Sequence, residues 1–395
     1  MECSLIARVN GTQVYLTQCD VVPAASLARE VTHILDMLRI LKRTSMALYI
    51  GGVVLVGALV LLLWLSRSPQ SPYLKEGGVD FKLATMYWTG KINAFGYERA
   101  YAEYKKSGDA LPIKISHVLA HAFGEALYNT RGSSGIALCT EDYFGGCIHQ
   151  VVGSAILKQG IGVVQEMNKA CQGDRTGDTP CLHSIGHGLV GYFGYDVLAL
   201  KQSLSVCASL QQERRGGCAE GAIMEYNIRF LTDSGPDGQP ASRPVTTETV
   251  LGPCAELGDT AQNSCYYELP VWWWWSAQGD TAAEHELFSR MGGYCDEVSD
   301  VFKRRACYEG IGHMAAVSAN LRQDTSYEFC KKASNDSLHR LFCVTGIVTR
   351  LRMGQADGFA LMCRNPDFSP EAVRYCTTQS RTDFGLIDKL PIPVM

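Results

Sequence analysis

Fourteen of the chain's sixteen cysteines follow residue 66, and they fall in order into seven close pairs: Cys139/Cys147, Cys171/Cys181, Cys207/Cys218, Cys254/Cys265, Cys295/Cys307, Cys330/Cys343 and Cys363/Cys376. An even number at regular spacing reads as a disulfide framework, which needs an oxidising compartment. Separations within pairs grow from 8 to 13 residues, while successive second cysteines lie 33 to 47 residues apart. Such a period marks a repeat built from one supersecondary unit. Two helices of about ten residues and a turn fill most of the inter-pair segments, so each unit is a helical hairpin. Within the pairs, stretches such as QGDRTGDTP (172–180) and QQERRGG (211–217) are loop chemistry. Each bridge therefore ties the end of one helix to the start of the next, contributing about 2–3 kcal/mol in the chain-entropy model.

The second cysteine of a pair opens a recurring phrase: CIHQVVGSAI, CLHSIGHGLV, CAEGAIMEYN, CYEGIGHMAA and CVTGIVTRLR, beginning at 147, 181, 218, 307 and 343. Small residues three to six positions on suit helices that pack backbone against backbone, so one helix of each hairpin is an inner helix. Residues 232–253, rich in Gly, Pro, Ser and Thr, interrupt the pattern and read as an exposed loop or lid.

Upstream, residues 47–65 are uncharged and long enough to span a bilayer. Arg39, Lys42 and Arg43 precede them and only Arg67 closely follows, so the positive-inside bias predicts a cytoplasmic N-terminus. A cleaved signal is the competing reading, and it too exports the remainder. The expected organisation is a cytoplasmic segment over 1–45, a transmembrane helix over 46–66, a juxtamembrane linker and first helix over 67–110, the stapled repeat domain over 111–380 and a tail over 381–395. Residues 1–45 show only a short amphipathic stretch near 27–41 and receive no function. The predicted fold is all-α: a single transmembrane helix followed by a helical-hairpin array, solenoid or α/α toroid. A net charge of −4 and the lack of basic runs interleaved with aromatics exclude a nucleic-acid partner.

Five of the nine histidines lie within 71 residues, at one phase of successive inner helices. His117/His121 and His183/His187 each have i, i+4 spacing, which puts both imidazoles on one helix face as paired metal ligands. His149 sits two residues past its cysteine, as His183 does. The phrase returns with Glu309 and His313 in the places of His183 and His187, and with Glu220 at the first position and Glu225 near the second. His117, His121, His149, His183, His187 and His313 are therefore the candidate metal ligands, with Glu125, Glu220 and Glu309 as acid, base or further ligand. Imidazole and carboxylate suit Zn, Fe, Mn or Cu without choosing among them. A metal held there can support hydrolysis or a redox conversion. Neighbouring helices stand about 9–10 Å apart, so one ion reaches from His117 to His187 only in a sharply bent array. His285 and His339 lie on charged stretches and read as surface residues.

Helical hairpins of this period resemble tetratricopeptide and Sel1-like repeats in architecture, although the tetratricopeptide signature positions are not matched. Seven hairpins with glycines on their inner helices also resemble the α/α toroids, including lanthionine synthetase cyclases, and GHGLVG at 186–191 is similar to that family's Gly-His-Gly phrase. Those enzymes bind zinc through free cysteines and histidine. The cysteines here pair regularly, so the cyclase activity is not carried over. The alternative function is a scaffold at the membrane surface that binds a protein partner along its concave face, with the histidines as interior polar residues.

Three features remain. The Trp272–Trp275 run reads first as core packing, then as a membrane-interface belt or a stacking platform, and not all four indoles can face inward. Tyr192 and Tyr195 could offer a hydroxyl to the histidine pocket. Asn335-Asp-Ser is an N-glycosylation sequon.

Overall fold

The computed structural model describes residues 5–9, 12–16, 71–75, 78–171, 178–210, 216–234, 240–277, 284–353, 359–364, 366 and 368–381. The expected transmembrane helix at 46–66 lies outside them; among the described residues no helix is long and apolar enough to cross a membrane. Contacts divide the chain into two units, residues 1–71 and 72–395. In the first, β1 (Leu5–Val9) pairs antiparallel with β2 (Thr12–Leu16) across the sequence Asn10-Gly11, the dipeptide that two-residue hairpin turns favour.

The second unit is helical. A short ribbon, β3 (Leu74–Lys75) and β4 (Gly78–Val79), precedes α1 (Phe81–Phe95), whose N-terminus is capped by the Asp80 carboxylate accepting from the Leu83 N–H. Gly96, at φ 82°, breaks the chain between α1 and α2 (Tyr97–Asp109) in a conformation that costs only glycine nothing. Both helices lie within the unit of residues 72–395, with Trp88 and Tyr104 fully buried.

Among the described residues seven inner helices follow: α3 (Ile113–Arg131), α4 (Asp142–Gln159), α6 (Asp178–Phe193), α8 (Cys218–Asn227), α9 (Asp259–Ser276), α11 (Val301–Ser318) and α13 (Ser337–Met353). Each packs on the next. Outside them run α5 (Val164–Cys171), α7 (Val197–Leu210), α10 (Glu284–Asp296), α12 (Gln323–Ala333) and α14 (Pro370–Arg381). The two classes differ in sequence for a physical reason. An outer helix needs one buried stripe, as Ser326, Phe329, Cys330 and Ala333 provide in α12. An inner helix is covered all round, and residues 305–316 of α11 are buried without interruption.

All seven expected disulfides are formed, with Cα–Cα separations of 5.3–5.8 Å. The second cysteine stands at the first residue of α8 but one to two turns inside α4, α9 and α11, so it marks an inner helix more faithfully than its start. Glycine makes the inner packing close. A Cβ on Gly221 would lie 1.9 Å from the His183 carbonyl oxygen, and one on Gly186 would lie 2.0 Å from that of Cys218. The same reciprocal contact joins α11 to α13 through Gly312 and Gly346.

The far end of the array meets the beginning. The Arg350 guanidinium of α13 stands 3.2 Å from the centroid of the Phe144 ring of α4, and the Ile113 N–H at the start of α3 donates to the Asn320 side chain beyond α11. Residues 232–253, expected as an exposed loop or lid, contain the end of β5 (Ile228–Ser234), which pairs antiparallel with β6 (Pro240–Ser242).

The indoles divide as space requires. Trp272 and Trp273 are buried, with their N–H groups donating to the carbonyls of Arg243 and Val250. Trp274 and Trp275 are half-buried and line a cavity.

Candidate metal centre

Five histidines from three consecutive inner helices share one buried cluster. The ligand-capable nitrogens of His117, His121 and His149 all lie within 4.8 Å of one another. His149 continues the cluster, with ring centroids 5.2 Å from His183 and 5.3 Å from His187, and these two are 4.9 Å apart. The i, i+4 pairs thus share helix faces, and His149 bridges them from α4.

Hydrogen bonds decide which nitrogen each ring turns inward. His117 Nδ1 lies 2.7 Å from the Tyr143 carbonyl oxygen, which can only accept, so Nδ1 carries the proton and Nε2 is left as a lone pair. His121 Nδ1 meets Gln150 Oε1 at 3.1 Å. The Gln150 amide is oriented by its other end, which donates to the Glu125 carboxylate and to Ser154. His121 is therefore also protonated on Nδ1. The two bare Nε2 atoms stand 3.3 Å apart.

His187 repeats the arrangement, donating from Nδ1 to Glu225 Oε2 at 2.8 Å while its buried Nε2 has no hydrogen-bond partner. Glu225 is built into this role. It also accepts from the Tyr195 hydroxyl and from the N–H groups of Phe230 and Leu231. Among the described residues the buried Nδ1 atoms of His149 and His183 have no hydrogen-bond partner either.

Burial disfavours charge on every ring. His117, His149 and His183 are held well below the usual imidazole range, first by desolvation and then by neighbouring histidines, and Arg350 further disfavours protonation of His117 and His183. His121 falls to about 4, chiefly by desolvation, and His187 is lowered by the same cause. Burial also raises Glu225. Neutral imidazole is the form that ligates a metal.

The backbone is strained at this point. Tyr143, Phe144 and Gly145 adopt left-handed conformations at φ 51°, 60° and 71°, at a cost of about 1–2 kcal/mol for each non-glycine residue. This turn aims the Tyr143 carbonyl at His117, directs the Tyr143 hydroxyl to Asp109, and turns the Phe144 ring to Arg350. Phe230 of β5 closes the cluster, stacking on His121 and meeting His117 and His187 edge-on.

The remaining candidates are placed differently. His313 lines the same cavity as His117, and its Nδ1 is 2.8 Å from the Tyr267 hydroxyl. Among the described residues the metal-capable group contains no carboxylate. Burial would raise the Glu125 pKa, but hydrogen bonds from Ser154, Lys158 and Gln150 outweigh it and lower it. Glu220 accepts from the Gly216 N–H, and Glu309 faces Arg305 at 3.7 Å. Tyr195 reaches the cluster through Glu225, whereas Tyr192 is exposed. His285 is exposed as expected, but His339 is half-buried, stacked on Tyr308 and 3.2 Å from Asp296. Asn335 is exposed.

Sequence reasoning passed over Gln150, Phe230 and Arg350, and it placed Glu225 only near the second position without naming it as a site residue. The signal for Glu225 was available: it stands where the repeat puts His187, offset by one residue. No family model matches the chain, and comparison with curated proteins and with solved structures returned no match.

Proposed function

We propose that the chain is a metal-binding protein of an oxidising extracytoplasmic compartment, in which His117, His121 and His149 hold a transition-metal ion and His183 and His187 extend the donor set. The facing Nε2 lone pairs of His117 and His121 carry this reading. Two neutral acceptors 3.3 Å apart, one buried and one half-buried, repel unless an electrophile lies between them. Nitrogens that ligate one zinc at about 2.0–2.1 Å with tetrahedral angles are about 3.3–3.4 Å apart, so the donor pair fits without rearrangement. The hydrogen bonds to each Nδ1 are the outer partners that metal-ligating histidines use to fix their tautomer. Three imidazoles leave coordination positions open, and a metal bound there supplies Lewis acidity or electron exchange.

The residues of the chain hold and orient. Tyr143 and Gln150 fix His117 and His121, Glu225 fixes His187, and Phe230 excludes water from the cluster. Burial of all these imidazoles inside the inner helices favours this reading over a scaffold, whose working residues lie on an accessible face. The contacts of Arg350 and Asn320 with the first repeat support a closed α/α ring rather than an open solenoid, and the uncharged run at 47–65 supports a single-pass membrane anchor.

The test is elemental analysis of the full chain purified in detergent without chelators. The expected result is at least one transition-metal ion per chain, lost in His121→Ala and His149→Ala variants that still melt cooperatively. A protein that carries none and takes up none from added zinc, iron, manganese or copper would refute the proposal.

A further inference from the structure

On the side of Phe230 that faces α9, α11 and α13 lies a small cavity that opens to solvent. Its walls are mainly apolar and aromatic, with Phe144, Phe230, Trp274 and Trp275 prominent beside His117 and His313, and among the described residues no carboxylate lines it. The charged group that does line it is Arg350, which is 8% exposed. Its Nε is buried, with no hydrogen-bond partner among the described residues.

A buried cation with an unsatisfied donor is costly unless something completes it. Burial lowers the Arg350 pKa only to about 10, against the favouring influence of Tyr267 and Glu268, so the guanidinium is charged at neutral pH. One face of the guanidinium is taken by the Phe144 ring, which the left-handed turn holds in place. Such stacking leaves the in-plane donors of the fork as the direction from which a ligand is recognised.

We propose that this cavity binds an apolar, preferably aromatic, monocarboxylate, its carboxylate on the in-plane donors of Arg350 and its hydrocarbon body against Phe230, Trp274 and Trp275. A single guanidinium in apolar walls matches one carboxylate charge, whereas a phosphate dianion would bring charge that nothing else in the lining offsets. The inference goes beyond the metal centre and does not require it, although His117 lines the same space.

The probes are phenylacetate and its uncharged isostere phenylacetamide, titrated by calorimetry into the full chain in detergent, with tryptophan fluorescence as a second readout. The acid is expected to bind about 10- to 100-fold tighter than the amide, the value of a charge-assisted hydrogen bond in a dry site. That preference should vanish in Arg350→Met, which roughly keeps the length of the side chain and removes its charge. Equal affinity for the two probes, no saturation by the acid below about 10 mM, or an R350M variant that keeps the preference would each overturn the proposal. The acid/amide contrast on the unaltered protein decides the matter even if R350M does not fold. Repeating the titration after dialysis against a chelator separates the two readings. Preference retained without metal supports Arg350. Preference lost with the metal assigns the carboxylate to the metal and overturns this inference alone.

Discussion

Replacing Glu225 by glutamine tests the cluster through a residue that touches no metal-capable nitrogen of the first triad. The carboxylate accepts four hydrogen bonds: His187 Nδ1 and the Phe230 N–H on Oε2, and the Tyr195 hydroxyl and the Leu231 N–H on Oε1. A glutamine keeps one oxygen and turns the other into a donor. If the amide nitrogen takes the Oε1 place, the Tyr195 hydroxyl can rotate to accept, and the Leu231 N–H is left buried without an acceptor. If it takes the Oε2 place, His187 can shift its proton to Nε2 and accept, at the expense of the lone pair that faces the cluster. The first arrangement is the cheaper, so E225Q should cost about 1–3 kcal/mol, the value of one unsatisfied buried donor. That corresponds to a fall of a few degrees in melting temperature for a domain of this size. Disturbance of an outer partner of a ligand should also weaken metal binding by about 10–100-fold. Thermal melts of metal-free protein and competition against a chromophoric chelator measure the two effects separately. A variant that melts and binds metal like the parent would refute both the assigned proton positions and the role of Glu225.

Metal-free protein should lose stability as pH falls below about 6.5. The folded pKa values of the five clustered histidines are depressed, so the unfolded chain binds more protons there, and each contributes a loss of about 1.4 kcal/mol per pH unit, down to about pH 4 for His121. Glu225, raised by burial, acts in the opposite direction over part of that range and offsets about one histidine. Melting temperatures that do not change between pH 7.5 and 5.5 would contradict the neutral buried imidazoles. Gly221→Ala should cost at least about 1–3 kcal/mol and displace His183, because the new methyl meets its carbonyl at 1.9 Å. Gly90→Ala in α1, where nothing lies within 4 Å, should be neutral or stabilise by up to about 1 kcal/mol, and melts of the two variants make the comparison. Removing the Cys207–Cys218 bridge by paired serine substitution should lower stability in denaturant titration by about 3 kcal/mol for its loop of 11 residues.

The cysteine spacing made the repeat, the pairing and the inner helices legible, because a disulfide joins residues that are close in sequence as well as in space. The i, i+4 histidines were legible for the same reason: helix geometry alone puts His117 with His121 and His183 with His187. The left-handed turn at Tyr143 and Phe144 was not, since neither residue type favours that conformation and only the surrounding contacts impose it. Phe230 was missed because it lies past the phrase that begins at Cys218 and just before the 232–253 interruption, where no repeat position marks it. Its backbone turns inward only because Glu225 takes the N–H groups of Phe230 and Leu231.

The sequence by itself therefore determined the unit of construction: hairpins stapled at fixed intervals, inner helices opened to close approach by glycine, and imidazoles in register along them. The tertiary structure decided which of those imidazoles meet. The angle between successive hairpins brings His117, His121, His149, His183 and His187 into one cluster, leaves His313 across the cavity, and brings Arg350 onto Phe144 more than two hundred residues away in the chain. Local spacing fixes the face a side chain occupies. Convergence depends on small packing rotations summed over seven helices, and no single repeat contains that sum.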